Sequence, residues 1–168
     1  MIEEPIFCPR CGARTELRNL KHGDPPRSVC TACAVVHYTG PKLAASAICT
    51  VGDRILLVRR AIEPGYGLWV YPGGFVDLGE SPADAARREA REEAHVEVRL
   101  EEIIGVYHSP RRAVVIVVYA GPVVDGSPSA GDETLEVRLV KPQEVPWEEL
   151  AFDTTRQAIR DFLARRPA

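Results

Sequence analysis

Four of the five cysteines stand in two close pairs, Cys8-Pro-Arg-Cys11 and Cys30-Thr-Ala-Cys33, with 18 residues between the pairs. Two short knuckles that each offer two sulfurs, joined by a hairpin-length connection, have the spacing of a tetrathiolate zinc site. Two disulfides would use the same residues, but disulfides persist in oxidising compartments and nothing in the sequence points to export. About forty residues bury too little apolar surface to fold unaided, so a metal is expected to stabilise this segment. Cysteine fills all four positions and leaves no open site for water or substrate, which makes the expected Zn2+ structural. The spacing therefore predicts a small zinc ribbon over 1–40 and a separate domain over 41–168.

From Pro41 onward the pattern is that of an α/β domain. LAASAICTV, RILLVRR, LWVYPGGFV, IIGVYH, AVVIVVYAG and LEVRLV read as strands, because each is short, rich in β-branched or aromatic residues, and bounded by Gly, Pro or Asp. Cys49, inside the first of these runs, reads as a buried core thiol. Ser81 with Asp84 three residues on resembles a capping box, and Pro82 suits the first helical position, so an internal helix is expected from Pro82 to His95. A final amphipathic helix is expected from Asp153 through Arg165, burying Ala158, Ile159, Phe162 and Leu163. PQEVPWEEL, interrupted by two prolines, is at most a short helix.

Charge narrows the function. The formal net charge of -3 over 168 residues gives no global basic field to hold a polyanion. Arg10, Arg14, Arg18, Lys21 and Arg27 lend the first thirty residues a modest basic bias, offset by Glu3, Glu4, Glu16 and Asp24 and without an aromatic platform. A nucleic-acid-binding or ligand-sensing regulator built on the ribbon is the rival to an enzyme. No apolar run reaches membrane-spanning length and the opening MIEEPIF is acidic, so a soluble, cytoplasmic protein without membrane contact is expected.

On a helical wheel Ala83, Ala86, Ala90 and Ala94 form one stripe that lets the expected helix approach a sheet closely. Glu89, Glu92 and Glu93 fall at i, i+3 and i+4 beside that stripe, while Arg87 and Arg91 supply the solvent face. Three like charges gathered next to a core repel one another unless a cation joins them. An all-oxygen, partly solvated ligand set suits Mg2+ or Mn2+ rather than zinc. Arg88, four residues before Glu92, can pair with that carboxylate and hold its rotamer.

Gly74, then Glu80 after five residues, then Arg88-Glu89-Ala90-Arg91-Glu92-Glu93-Ala94-His95-Val96 after seven more, resembles the signature of the Nudix hydrolases at every charged position. The chain departs from the pattern at Ala90, where the family has a large aliphatic residue, and at His95, where it has a glycine. His95 is therefore expected just past the helix end at positive φ, which costs a non-glycine residue about 1 kcal/mol.

The resemblance implies an α/β/α sandwich around a mixed sheet and hydrolysis of the pyrophosphate bond in nucleoside diphosphate derivatives. It assigns Glu89, Glu92 and Glu93, with the backbone carbonyl of Gly73, to the divalent metal, Arg88 to their support, and Glu136 to a further ligand or base, with Glu133 as competitor. A ribbon followed by such a domain is similar to two subgroups, the NADH pyrophosphatases and a compact group acting on FAD and ADP-ribose. YHSPRRAVVIV stands where the first group has a proline- and aromatic-rich motif, while RRAIEPGYGLWVYPGGF and LEVRLVKPQEVPWEELAF are closer to the second. Pro110 also matches a proline downstream of the signature in ADP-ribose hydrolases.

The expected products are AMP with FMN or ribose 5-phosphate; NADH or capped RNA is the alternative substrate. Trp69, Tyr71 and Tyr107 border the expected site and are candidates to stack on an adenine or flavin ring. Arg111 and Arg112 are candidates for phosphate, of which one at most can face it because neighbours in a strand point to opposite sides. Ribbon-bearing relatives imply a homodimer.

Overall fold

A computed structural model of the protein describes residues 4–109 and 112–166. They divide into two compact units, one reaching to Pro41 and including the turn at 112–113, the other running from Lys42 apart from that turn. In the first unit, β1 (Thr15–Arg18), β2 (Arg27–Cys30) and β3 (Val36–His37) form a three-stranded antiparallel sheet in the order β1-β2-β3. Thr15 pairs with Cys30, so the hairpin brings the end of the first knuckle beside the start of the second.

The second unit is built on β4 (Lys42–Val51), β5 (Arg54–Arg60), β6 (Trp69–Val70), β7 (Gly73–Phe75), β8 (Val96–Val98), β9 (Glu102–Ser109), β10 (Val114–Gly126) and β11 (Thr134–Val140). The sheet runs β11-β5-β4-β10-β8, with β6 on β5, β7 on β4 and β9 on β10. β4 and β10 are parallel and the other pairs antiparallel, which makes the sheet mixed. The segment LWVYPGGFV, expected as one strand, is two. Pro72 cannot donate to a ladder, and across it the chain leaves β5 and joins β4, with the Pro72 carbonyl accepting from Ala47 N–H. β8, a three-residue strand separated from the first helix by His95 alone, was not foreseen.

Two helices cover the two faces of this sheet. α1 (Pro82–Ala94) buries Ala85, Ala86, Ala90 and Ala94 against Ala45, Ala47 and Cys49 of β4 and Leu56 and Val58 of β5. Ala85 takes the place expected of Ala83. The alanines let the helix sit close, as the stripe predicted, and Cys49 is a fully buried thiol pushed up to about 12 by burial. α2 (Asp153–Ala164) covers the other face, where Ala158, Ile159 and Phe162 pack on Ile48, Ile55, Leu57 and Trp69. Burial of side chains such as Ile159 and Phe162 contributes about 1.5–3 kcal/mol each. Two single-turn 3-10 helices, Pro142–Glu144 and Trp147–Glu149, lead into α2, which agrees with the broken pattern of PQEVPWEEL. Among the described residues, no helix is long and apolar enough to cross a membrane.

Candidate functional site

The ribbon cysteines converge. Cys8 and Cys33 sulfurs lie 3.7 Å apart, Cys11 and Cys30 3.4 Å, and Cys11 and Cys33 3.5 Å. Four sulfurs at about 2.3 Å from one tetrahedral ion stand about 3.8 Å from each other, so the set fits a metal of zinc's size. Backbone N–H groups of Cys33 and Ala32 point at the Cys30 sulfur and hold its thiol down to about 6, which favours the thiolate a metal needs. Among the described residues these four are the one set of three or more Cys, His, Asp or Glu whose ligand atoms all lie within 4.8 Å of one another.

The second site starts at the N-terminus of α1. Ser81 caps it, its hydroxyl accepting from Asp84 N–H, and Pro82 opens the first turn. From there the glutamates come round beside the buried alanines. Glu93 is buried, with 7 % exposure, and its Oε2 accepts from Gly73 N–H at 3.1 Å. Burial raises its pKa to about 8; the Gly73 N–H and Arg60 oppose the shift, while Glu89 and Glu133 add to it. Burial likewise raises Glu89, against Arg88 and with help from Glu92 and Glu133. Arg88 is the counter-charge: it donates to Glu80 at 2.8 Å, Glu89 at 2.8 Å, Glu92 at 2.9 Å and the Phe75 carbonyl at 3.0 Å. These contacts hold Glu80 below and the guanidinium above their ordinary values.

One guanidinium serving three carboxylates leaves the group with excess negative charge beside a core. Glu89 and Glu92 lean on Arg88 while Glu93 leans on Gly73, so their oxygens do not meet at one point as the sulfurs do. A shared cation is the ingredient that would draw them together, and hard oxygen donors select Mg2+-like ions. The glycines before the helix permit this closeness. A side chain at Gly74 would collide with the Glu89 carboxylate, and one at Gly73 with the Ser46 side chain.

Other expected site residues fall elsewhere. Trp69, Tyr71 and Tyr107 are buried, with 1 %, 3 % and 5 % exposure, in the core beneath α2, so they have no free face for a ring. Arg138 lies 4.4 Å over the Trp69 ring, and the Tyr107 hydroxyl donates to Asp161 on α2 at 2.8 Å. Two aromatics of this region are exposed: Tyr66, before β6, and Phe75, half-exposed on β7 with the Lys42 ammonium 4.8 Å over its ring. Phe75 follows the glycine pair directly and was missed because the signature draws attention to charged positions.

Glu136 also departs from its expected place. It pairs with Arg138 at 3.0 Å and Arg59 at 3.7 Å, both of which stack on Trp69, and by strand alternation it shares the α2 side with Val140. Val137 and Leu139, between them, belong to the α1 side. The charge of Glu133, the competitor, adds to the upward shifts of both Glu89 and Glu93. Arg112 is exposed and groups with the first unit, while Arg111 and Pro110 lie outside the described residues.

The family model described as NUDIX domain matches residues 40–165, and one described as Nudix N-terminal, a zinc ribbon, matches 7–39. An ADP-ribose pyrophosphatase of Methanocaldococcus jannaschii is 33 % identical over 130 residues, 75 % of each chain. A putative 8-oxo-dGTP diphosphatase of Bacillus subtilis is 39 % identical over 111 residues, 66 % of this chain and 71 % of that one. The crystal structure of a NUDIX hydrolase from Nitrosomonas europaea superposes with a TM-score of 0.87 at 33 % identity, over 96 % of this chain and 94 % of that one. Further relatives include NAD-capped RNA hydrolases, of whose length this chain spans less than half.

Proposed function

The chain belongs to the Nudix hydrolase family, and from that premise we propose that it hydrolyses the pyrophosphate bond of ADP-ribose and FAD, giving AMP with ribose 5-phosphate or FMN. The observation behind this reading is the packed acid cluster on α1: Glu89 and Glu93 raised by burial, one guanidinium shared among Glu80, Glu89 and Glu92, and glycines at closest approach. ADP-ribose is favoured by the archaeal relative, and FAD by the flanking segments GYGLWVYPGGF and EVPWEELAF.

In this reading Glu89, Glu92, Glu93 and the Gly73 carbonyl hold Mg2+ or Mn2+, and the four cysteines hold Zn2+. The divalent ion supplies charge neutralisation on the phosphate oxygens and a more acidic water. The chain's own part is to place groups. Arg88 fixes the rotamers of Glu89 and Glu92, Gly74 leaves room for Glu89, and Gly73 N–H orients Glu93. We assign Glu133 rather than Glu136 as the added carboxylate that would take a proton from the attacking water, because its charge acts on both Glu89 and Glu93. Phe75, with Lys42, takes over the ring contact expected of Trp69, Tyr71 and Tyr107. Residues 1–40 serve as a structural module and 41–168 as the catalytic one, in a cytoplasmic homodimer.

Purified protein incubated with ADP-ribose, FAD and NADH under Mg2+ and under Mn2+, with products separated by chromatography, tests the proposal. AMP is expected from the first two, and Glu92→Gln and Glu93→Gln should each lose at least about 100-fold in turnover. Near-native activity in both variants would overturn the assignment of α1 as the metal platform. The RNA-cap relatives give a second reading, an NADH or capped-RNA hydrolase, which fastest turnover of those substrates would establish instead.

A further inference from the structure

The loop SPSAGDE, residues 127–133, joins β10 to β11 and has no part in the chemistry above beyond ending in Glu133. Its backbone is tied to the last turn of α1. Ser129 N–H donates to the Ala94 carbonyl at 3.1 Å and Gly131 N–H to the Glu93 carbonyl at 3.2 Å, which satisfies two of the acceptors a helix leaves open at its C-terminus. Gly131 lies so close to the helix that any side chain there would collide with the Glu92 carbonyl. Thr134 N–H then returns to the Gly131 carbonyl at 3.1 Å, and the Glu133 carbonyl accepts from Ala61 N–H at 2.8 Å. The loop is thus fastened at one end to the residues bearing Glu92 and Glu93 and at the other to the backbone of Glu133.

His95 adds a side-chain fastening at the same place. It follows the helix with φ 53° and ψ 39°, the left-handed conformation in which a glycine would be unstrained. Its Nδ1 lies 3.0 Å from Ser129 Oγ, in the middle of the loop. A glycine would relieve the backbone but leave the loop without that bond.

We propose that His95 is a positioning residue, which through Ser129 latches the 127–133 loop onto the end of α1 and so keeps Glu133 beside Glu89 and Glu93. The proposal rests on the reading of Glu133 as part of the reacting site. It accounts for a histidine kept where the helix end favours glycine, and for a small, polar loop meeting the helix through a glycine.

The test compares His95→Gly, Ser129→Ala and the double variant, each alone and with Glu133→Gln, using ADP-ribose with Mn2+. His95→Gly should leave Tm unchanged or slightly raised, because the strain at positive φ is removed, while kcat falls about three- to tenfold and KM stays within twofold. A purely structural residue would not lower kcat while leaving Tm intact. The double variant should be no worse than either single one, no further loss should appear with Glu133→Gln, and His95→Asn should restore part of kcat, since asparagine tolerates this conformation and offers an amide to Ser129. Unchanged kcat in His95→Gly, or an equal loss with Glu133→Gln, overturns the latch. Amide exchange supplies a readout that needs no turnover: the Ser129 and Gly131 amides should exchange at least tenfold faster in His95→Gly. If Glu133→Gln turns over like wild type, the reading of Glu133 is wrong, and unchanged exchange at Ser129 would overturn the latch separately.

Discussion

Glu93 is the residue where packing and chemistry pull in opposite directions. A carboxyl with 7 % exposure, one backbone donor and two neighbouring carboxylates prefers to keep its proton, and its pKa rises from 4.5 to about 8. Binding a cation requires that proton to leave. Because the folded value lies above the unfolded one, protonation favours the fold: the contribution is fully present below pH 4.5 and is lost as pH rises through about 8. Metal-stripped protein should therefore lose on the order of 2–4 kcal/mol between pH 5 and 9 that Glu93→Gln does not lose. Saturating Mn2+ should cancel the difference, since the ion replaces the proton. Thermal melts of both proteins across that range, with chelator and with Mn2+, check this, and parallel curves for the two proteins under chelator would show that Glu93 is not the strained acid.

At the scale of elements, the site is a contact between α1 and the glycine pair of β7, where a Cβ at Gly74 would collide with the Glu89 carboxylate. Gly74→Ala should push the Glu89 carboxylate away from the strand and lower turnover at least tenfold, with a Tm change of a few degrees at most. Mn2+ titration should show the loss as weakened metal binding; an alanine variant with wild-type affinity would mean that Glu89 does not need that space. α1 could be read in advance because its signals are local: a serine cap, proline at the first turn, alanines at helical spacing and a left-handed residue at its end. Its glutamates could be placed by the same periodicity. The aromatic residues could not. Alternation along a strand says that Trp69 and Tyr71 share a face, but not that α2 and Arg138 close over it. The direction of Glu136 was not legible for a related reason. The irregular register between Thr134 and Glu136 and the pull of two arginines decide its direction, and neither shows in the sequence. Phe75 was overlooked although it adjoins the glycines, because exposure depends on what the rest of the sheet leaves uncovered.

For the whole molecule, each unit has its own source of stability. Both apolar clusters draw all their members from Lys42 onward, whereas the ribbon has four converging sulfurs and little buried apolar surface of its own. Cys8→Ser or Cys30→Ser should release bound Zn2+ and expose the first forty residues to proteolysis, while divalent-metal binding by the α1 glutamates survives. Zinc analysis with limited digestion checks this, and wild-type protein that binds no zinc would refute the ribbon's role. Substrate choice is also set at this scale, because the α1 cluster commits the protein only to a diphosphate and the group attached to it must be recognised by other parts of the chain. ADP-ribose and FAD share an ADP half, so a pocket that holds that half could turn over either, with the remaining ribose or flavin extending beyond it. With Trp69, Tyr71 and Tyr107 enclosed in the core, the proposed ring contact is the half-exposed Phe75, and one such face would discriminate weakly between adenine and flavin. ADP-ribose and FAD should therefore show kcat/KM values within about tenfold of each other, a gap worth about 1.4 kcal/mol, and NADH should be slower than both. Phe75→Ala should raise KM for both by a similar factor, about tenfold if one stacking contact is lost. Competition assays with all three substrates present, read by product chromatography, measure the ranking directly. A kcat/KM highest for NADH would move the protein to the other ribbon-bearing subgroup while leaving the chemistry of α1 in place.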